Sequence, residues 1–218
     1  RSIWVTGVQT CALPIYLCIL LSVLFLNTTA QENAAFDGRN WQAPYFLDTP
    51  SNWGIERFLI PMHFAPSINY KGVEDIRFAP GWAKNESVGY WSYTFLWYLD
   101  GSVNLDTKII EKNLSAYYTG LLYANLDTAN NKTIKITPAV VVAREIKAEK
   151  EAERSFEATV TTLDYMTLKS LTLNFRIHIR KCKDDNKTFV FHEVSPRPYD
   201  EAIWGKLHLL WVSLRCKK

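Results

Sequence analysis

Two histidines in the last quarter of the chain are the residues whose spacing first suggests chemistry. His178 and His192 lie on residues 171–179 and 188–194, two runs in which apolar residues alternate wholly or in part with polar ones. Such runs, joined by a short Asp-Asp-Asn turn, predict two antiparallel strands of a β-hairpin. Because imidazole binds transition metals and transfers protons near neutral pH, this pair is the first candidate for a site.

The register of the hairpin decides whether the two histidines meet. A three-residue turn places His178 and His192 directly opposite each other on one face, where Glu193 or Asp164 would have to supply a carboxylate for a metal. A two-residue turn instead sets His178 against Glu193 and sends His192 to the other face. Two ordinary sheet histidines are the favoured interpretation, and the sequence predicts no metal and no cofactor.

A charged run, residues 74–77, is another candidate for acid–base chemistry. On a strand, Asp75 and Arg77 share a face, and Glu56 or Arg57 could join them in a charged cluster. Acid–base catalysis would require a carboxyl group with a perturbed pKa in a cleft. A salt bridge at the edge of a sheet is the favoured interpretation.

Aromatic residues crowd the segment 88–99, which is the clearest strand in the first half of the chain. Alternate rings on such a strand are spaced about 7 Å apart, a spacing that suits the stacking of sugar rings. The same rings could form the core, and the more polar opposite face favours the core. Trp82, in a Pro-Gly-Trp loop, is the better candidate for an exposed contact. The predicted ligand-binding residues are Trp82, Trp91, Tyr93, Trp97, His178 and His192, and no catalytic residue is assigned.

The elements that must position these residues follow from the periodicity of the apolar residues. Residues 144–154 are charged almost throughout and predict an exposed connection. The order of the predicted strands and helices along the chain indicates an α+β domain, with a mostly antiparallel curved sheet of about six or seven strands and two packed helices. Such a sheet can leave a concave apolar pocket. The predicted strands are 57–61, 73–79, 88–99, 132–143, 156–166, 171–179 and 188–194, and the predicted helices are 107–122 and 199–214.

This order of strands and helices resembles helix-grip ligand-binding folds and the sheet-and-helix fold of photosystem-associated PsbP-like proteins. The resemblance is one of element order, so it implies an arrangement of sheet and helices and carries no activity with it.

The first thirty residues predict a different origin from the rest. Residues 5–15, VTGVQTCALPI, resemble a translated sequencing adapter. Residues 17–26 are almost entirely apolar and suit the core of a secretory signal, although ten residues are too few to span a bilayer. The sequence therefore predicts an adapter-derived segment at 1–16, a truncated signal peptide at 17–30 and a single domain at 31–218.

The cysteines are consistent with an exported protein. Cys11 and Cys18 fall in the first two segments, which leaves Cys182 and Cys216 in the predicted domain. One disulfide and two separate thiols are equally weighted interpretations of this pair.

Composition excludes several classes of protein. The 218 residues carry a net charge of +3, with 48% apolar and 22% charged residues, which is a globular composition. A charge this small does not predict a nucleic-acid partner. The chain also lacks the GxSxG, P-loop, GxGxxG, HExxH and EF-hand patterns, which lowers the odds of the familiar enzymes.

The sequence as a whole resembles an exported bacterial protein, periplasmic or secreted. The leading hypothesis is a noncatalytic binding domain for a small apolar or sugar-like ligand, with no membrane span in the mature chain. One alternative is a hydrolase or isomerase that uses Asp75, Arg77, His178 or His192. Another is a structural partner in a cell-envelope assembly, docked through the exposed segment 144–154.

Overall fold

An open, seven-stranded antiparallel sheet forms the centre of the fold in the computed structural model. Across the sheet the strands run β2-β3-β4-β8-β7-β6-β5, so β2 and β5 are its edges, while β1 and β9 pair separately. The predicted α+β class is confirmed. The elements are β1 (Tyr45–Phe46), β2 (Gly54–Ile60), β3 (Gly72–Phe78), β4 (Tyr93–Asp100), α1 (Thr107–Asn125), β5 (Val140–Ile146), β6 (Arg154–Leu163), β7 (Ser170–Cys182), β8 (Lys187–Ser195), α2 (Ala202–Ser213) and β9 (Arg215–Cys216).

The structure describes residues 36–126, 135–182 and 186–217. The predicted adapter and signal segments, 1–16 and 17–30, lie outside these residues. The chain from Phe36 onward forms one unit. Within the described part, neither helix is long and apolar enough to cross a membrane.

Each helix covers a different face of the sheet, which we call the α1 face and the α2 face. On β4, Phe95 and Trp97 point into the large core on the α1 face, while Leu96 and Tyr98 belong to a second core on the α2 face. Both sets are almost fully buried, because a central strand between two helical layers has no solvated side. The expected core role of the aromatic strand is confirmed, and its opposite face is buried as well.

Helix α1 begins where the sequence predicts. The Asp106 side chain accepts a hydrogen bond of 2.8 Å from the backbone N–H of Ile109 and caps the helix. Its buried stripe, which includes Leu114, Tyr117 and Tyr118, packs on the α1 face and contacts β5 and β6. Gly120 lets the helix lie directly against the loop between β2 and β3. A Cβ added at this position would lie 2.0 Å from the carbonyl oxygen of Phe64.

Helix α2 packs on the opposite face against β8 and β4. Its stripe places Trp204 and Trp211 over the polar side of β7, and the guanidinium of Arg176 lies 5.3 Å from the Trp204 ring while that of Arg180 lies 5.0 Å from the Trp211 ring. These contacts explain why the polar face of β7 is largely covered. The long charged side chains bury their stems and planar ends under aromatic rings.

Two strands begin later than the sequence predicts. The strand expected from residue 88 starts at Tyr93, since consecutive backbone turns occupy the residues before it and Trp91 adopts a left-handed backbone with φ of 48°. The strand expected from residue 132 starts at Val140, just after Pro138, and its residues 132–134 lie outside the described part of the chain.

The segment 144–154 forms the ends of β5 and β6 and the connection between them, mostly exposed as predicted. It is tied to α2 by the indole N–H of Trp211, which donates to the carbonyl oxygen of Lys150 at 3.1 Å. Cys182 and Cys216 form a disulfide that joins β7 to β9. The two open interpretations of the cysteine pair are therefore resolved in favour of the disulfide.

Candidate functional site

An aromatic cleft of about 560 Å³ opens on the α1 face beside strands β2 to β4. Strands β2, β3 and β4 form its floor, α1 forms one wall, and the loops around residues 63, 82 and 165 complete it. Eight aromatic side chains dominate the surface, and the exposed residues Glu56, His63 and Asn125 add polar groups. The lining residues are Glu56, Arg57, Phe58, His63, Phe64, Ile76, Phe78, Trp82, Trp91, Tyr93, Tyr117, Leu121, Ala124, Asn125 and Tyr165.

A tight turn before β4 places two tryptophans in the cleft. Gly81 adopts φ of 79°, and the backbone N–H of Trp91 donates to the carbonyl oxygen of Trp82 at 3.1 Å. The two indole rings meet edge to face at 5.6 Å, and Trp82 packs on Phe78 at 4.6 Å. Glycine suits this turn because the left-handed backbone is costly for residues with a side chain.

Asp164, in the β6–β7 turn, holds this wall in place. Its carboxylate accepts from the Trp91 indole N–H at 3.2 Å, from the Tyr90 hydroxyl, and from Thr167 at 2.6 Å. Burial opposes ionisation of this carboxyl group, but the bonds from Thr167, Tyr90 and the Met166 backbone hold its pKa below the ordinary value. Asp164 therefore supports the cleft. It does not approach His178, although the sequence analysis had named it as a possible metal ligand there.

Beneath the cleft lies a buried acid that sequence reasoning missed. The Glu74 carboxyl group receives hydrogen bonds from the Tyr117 hydroxyl at 2.6 Å and from the Trp97 indole at 2.9 Å. Burial raises the pKa of Glu74 to about 8, so the group is mainly protonated at neutral pH. A sequence signal was present, because side chains alternate along a strand and Glu74 therefore shares a face with the apolar Ile76. In the structure this is the α1 face.

Of the predicted binding residues, the structure brings Trp82, Trp91 and Tyr93 to the cleft. Trp97 and His192 lie deeper on the same face and do not line it. The His192 ring stacks on Phe95 with centroids 4.0 Å apart, and burial lowers its pKa to about 3, so the imidazole is neutral.

The two histidines do not lie opposite each other, as a three-residue turn would have placed them. The β7–β8 register pairs Cys182 with Lys187, so His178 faces Phe191 and Ile177 faces His192. A longer turn than either of those considered sends the two imidazoles to opposite faces of the sheet. His178 and Glu193 do share a face, as the two-residue turn had predicted. They are diagonal neighbours, however, and not directly opposite each other.

On the α2 face, His178 meets Glu193 and a residue that the sequence analysis did not single out, His208 of helix α2. The Glu193 Oε1 atom lies 3.4 Å from His178 Nε2 and 3.0 Å from His208 Nδ1. Burial of Glu193 opposes its ionisation, but these two partners hold its pKa below the ordinary value. His208 could have been found from its spacing, because it shares a helical face with Trp204 and Trp211.

Asp75 and Arg77 form a closed ionic cluster. The Asp75 carboxylate accepts from Arg57 Nε at 2.9 Å, from the Tyr45 hydroxyl at 2.8 Å and from both terminal nitrogens of Arg77. The cluster is buried on the α2 face, so the expectation of an edge salt bridge is wrong in its location. The residue Glu56 faces the cleft instead.

The charged cluster and the histidines do not converge. Along the register, Asp75 pairs with Leu96, then Phe191, then His178, which places the carboxylate and the imidazole three strands apart. At about 4.8 Å per strand the separation is about 14 Å. Asp75, Arg77, His178 and His192 therefore do not form one constellation.

Comparisons with protein families, with curated proteins and with solved structures found no match to this chain.

Proposed function

We propose that this protein binds a small apolar or sugar-like ligand in the aromatic cleft, without catalysing a reaction on it. The observation that carries the proposal is a concave site of about 560 Å³ with eight aromatic side chains in its lining. Small-molecule sites commonly have volumes of about 300–1,000 Å³ and combine apolar walls with a few polar groups.

The hydroxyl groups of the lining tyrosines favour an uncharged ligand. Tyr117 donates to Glu74, and the Tyr93 hydroxyl is bonded to that of Tyr118, so both groups are already satisfied inside the protein. Burial raises the phenol pKa of Tyr93 and Tyr117 well above the ordinary value, and that of Tyr165 to about 12. The cleft wall therefore presents neutral rings at physiological pH.

Polar contacts are available at exposed residues of the cleft. Glu56, His63 and Asn125 line it from three different elements, and all three are exposed. A flat apolar molecule would stack on the rings, and a sugar would stack its C–H face while its hydroxyl groups reach these residues. The bonds of Asp164 to Tyr90 and Trp91 keep the wall preorganised, which lowers the cost of binding.

The proposal places the protein outside the cytoplasm, in the periplasm or secreted from a bacterial cell. Its support is the disulfide between Cys182 and Cys216, since structural disulfides persist mainly in oxidising compartments. The apolar segment 17–26 adds the sequence expectation of a signal peptide.

The test is a binding titration with two kinds of probe. The uncharged fluorophore N-phenyl-1-naphthylamine reports an apolar ligand, and a panel of mono- and disaccharides, followed by tryptophan fluorescence, reports a sugar. Ala124→Trp fills the cleft from an exposed position of α1 and should weaken binding at least tenfold, which corresponds to about 1.4 kcal/mol. Tyr123→Trp, one residue away and outside the cleft lining, is the matched control and should bind like the wild type.

The two probes decide between the ligand classes, and the variants decide the site. Binding of either probe that Ala124→Trp weakens at least tenfold and Tyr123→Trp leaves intact supports the proposal. Equal binding by both variants would place the ligand elsewhere. A wild-type chain that binds neither probe, and that carries no adduct in native mass spectrometry, would overturn the proposal.

A further inference from the structure

We infer that His178, Glu193 and His208 form a binding site for one divalent transition metal, with zinc favoured by the donor set. The three residues come from β7, β8 and α2 and lie on the α2 face, on the other side of the sheet from the aromatic cleft. Two imidazole nitrogens and one carboxylate oxygen are a ligand set that Zn²⁺ commonly takes in proteins, with a further position left open.

The spacing of the donor atoms suits a tetrahedral ion. Zinc bonds of about 2.0–2.1 Å put two tetrahedral ligand atoms about 3.3 Å apart. Glu193 Oε1 lies 3.4 Å from His178 Nε2 and 3.0 Å from His208 Nδ1. All three donor atoms fall within 4.8 Å of one another, so small side-chain adjustments bring them around one centre.

Unpaired polar atoms mark the same place. Among the described residues, His178 Nε2 and Glu193 Oε2 have no hydrogen-bond partner although both are inaccessible to solvent. The Thr94 hydroxyl, on the residue that the β4–β8 register pairs with Glu193, is a third such atom. Buried polar atoms left unpaired cost about 1–3 kcal/mol each, and a cation would supply the partner that the first two lack.

A supporting residue fixes the orientation of the His178 ring. Ser155 Oγ lies 3.0 Å from His178 Nδ1 and also accepts the backbone N–H of Glu149 at 2.9 Å. When Nδ1 donates to this hydroxyl, the lone pair of Nε2 points toward Glu193 and is free for a metal. The Trp211 ring packs on the same imidazole at 4.9 Å and limits its rotation.

His208 provides the route by which an ion enters. Its side chain is 32% exposed, whereas those of His178 and Glu193 are almost fully buried. Arg176 faces Glu193 across the β7–β8 pair, but its guanidinium lies 4.9 Å from the Tyr199 ring and 5.3 Å from the Trp204 ring. The carboxylate is thus left to the two histidines.

The test is metal binding by the full chain, independent of any ligand in the cleft. Protein treated with EDTA and desalted is titrated with ZnCl₂ by calorimetry, and CoCl₂ is followed by visible absorption. We expect one ion per chain, an intense visible spectrum typical of tetrahedral cobalt, and a rise in unfolding temperature with Zn²⁺.

Three variants locate the site. His208→Ala, at a partly exposed position, should abolish binding, while His63→Ala removes an exposed histidine on the other face and should keep it. Ser155→Ala should weaken Zn²⁺ binding about 10–100-fold, the usual effect of losing a supporting partner. Circular dichroism and thermal unfolding confirm that each variant folds.

A wild-type chain that binds neither ion would overturn the inference. So would binding that His208→Ala retains, or a cobalt spectrum of an octahedral aqueous ion. These outcomes would make the three residues a buried ion cluster in which histidines balance the Glu193 charge. They would leave the proposal for the cleft untouched, because that proposal is tested with different probes on the opposite face.

Discussion

Replacing Glu74 with glutamine tests whether the protein keeps a protonated carboxyl group in its core. Glu74 is fully buried on the α1 face, where its only described hydrogen-bond partners are Tyr117 and Trp97. Neither partner carries a positive charge, so an ionised carboxylate has two hydrogen bonds and no counter-ion at this position. Glutamine has the same shape as the protonated acid and can keep both bonds, with its oxygen accepting from Trp97 and its amide donating to Tyr117.

The size of the effect follows from the pKa of Glu74, which burial raises from 4.5 to about 8. Below pH 4.5 the carboxyl group is protonated in both the folded and the unfolded chain, and its contribution to stability is fully present. As the pH rises toward about 8, only the unfolded chain ionises, and the free energy of unfolding falls. At about 1.4 kcal/mol per pH unit, the total loss is about 5 kcal/mol, and above pH 8 it levels off.

Urea unfolding from pH 4 to pH 9, with the disulfide intact, measures this loss. We expect Glu74→Gln to match the wild type within about 1 kcal/mol at pH 4.5 and to exceed it by up to about 5 kcal/mol near pH 8. Glu86→Gln, at an exposed position, is the matched control and should follow the wild-type pH profile. Parallel profiles for the wild type and Glu74→Gln would refute the reasoning, as would a variant that is less stable than the wild type at pH 8.

Two further predictions test a close contact of α1 and the contribution of the disulfide. Gly120→Ala should destabilise the protein by at least about 1 kcal/mol and weaken N-phenyl-1-naphthylamine binding, although alanine normally favours a helix by about 1 kcal/mol, because the new methyl group would lie 2.0 Å from the Phe64 carbonyl oxygen. Thermal unfolding measures the first effect, with exposed Gly205→Ala, which meets no atom within 4 Å, as a control that should be neutral or stabilising. The double variant Cys182→Ser/Cys216→Ser should lose about 4 kcal/mol of stability, since the disulfide closes a separation of 34 residues. Equal urea midpoints for the double variant and the oxidised wild type would contradict this estimate.

Local patterns in the sequence predicted most of the elements, because short-range rules govern them. The capping of α1 by Asp106 and the alternation along β7 depend on neighbours within a few residues. The same rules misplaced the start of β4, where the turns before Tyr93 override the strand preference of an aromatic run. They also predicted one strand over residues 132–143, whereas the observed strand begins at Val140, after Pro138.

Part of the candidate cleft was within reach of the sequence. Trp82 stood out in a Pro-Gly-Trp loop, Trp91 and Tyr93 stood out in the aromatic segment 88–99, and all three line the cleft. Tyr165 and Tyr117 come from a turn and a helix far along the chain, and no local pattern connects them with β4. Their meeting depends on the strand order, which brings the second half of the chain back beside the first.

The sequence by itself determined the class of fold and the presence of two amphipathic helices, since periodicity and capping are local properties. Only the tertiary structure decided which face each polar residue occupies. A change of one residue in the β7–β8 register moves a histidine across the sheet, and the actual register separates His178 from His192. The packing of α2 then brings His208 to Glu193, and the burial of the Glu74 side chain on the α1 face raises its pKa. These contacts join residues distant in the chain, so they depend on the assembled sheet and helices rather than on the sequence near each residue.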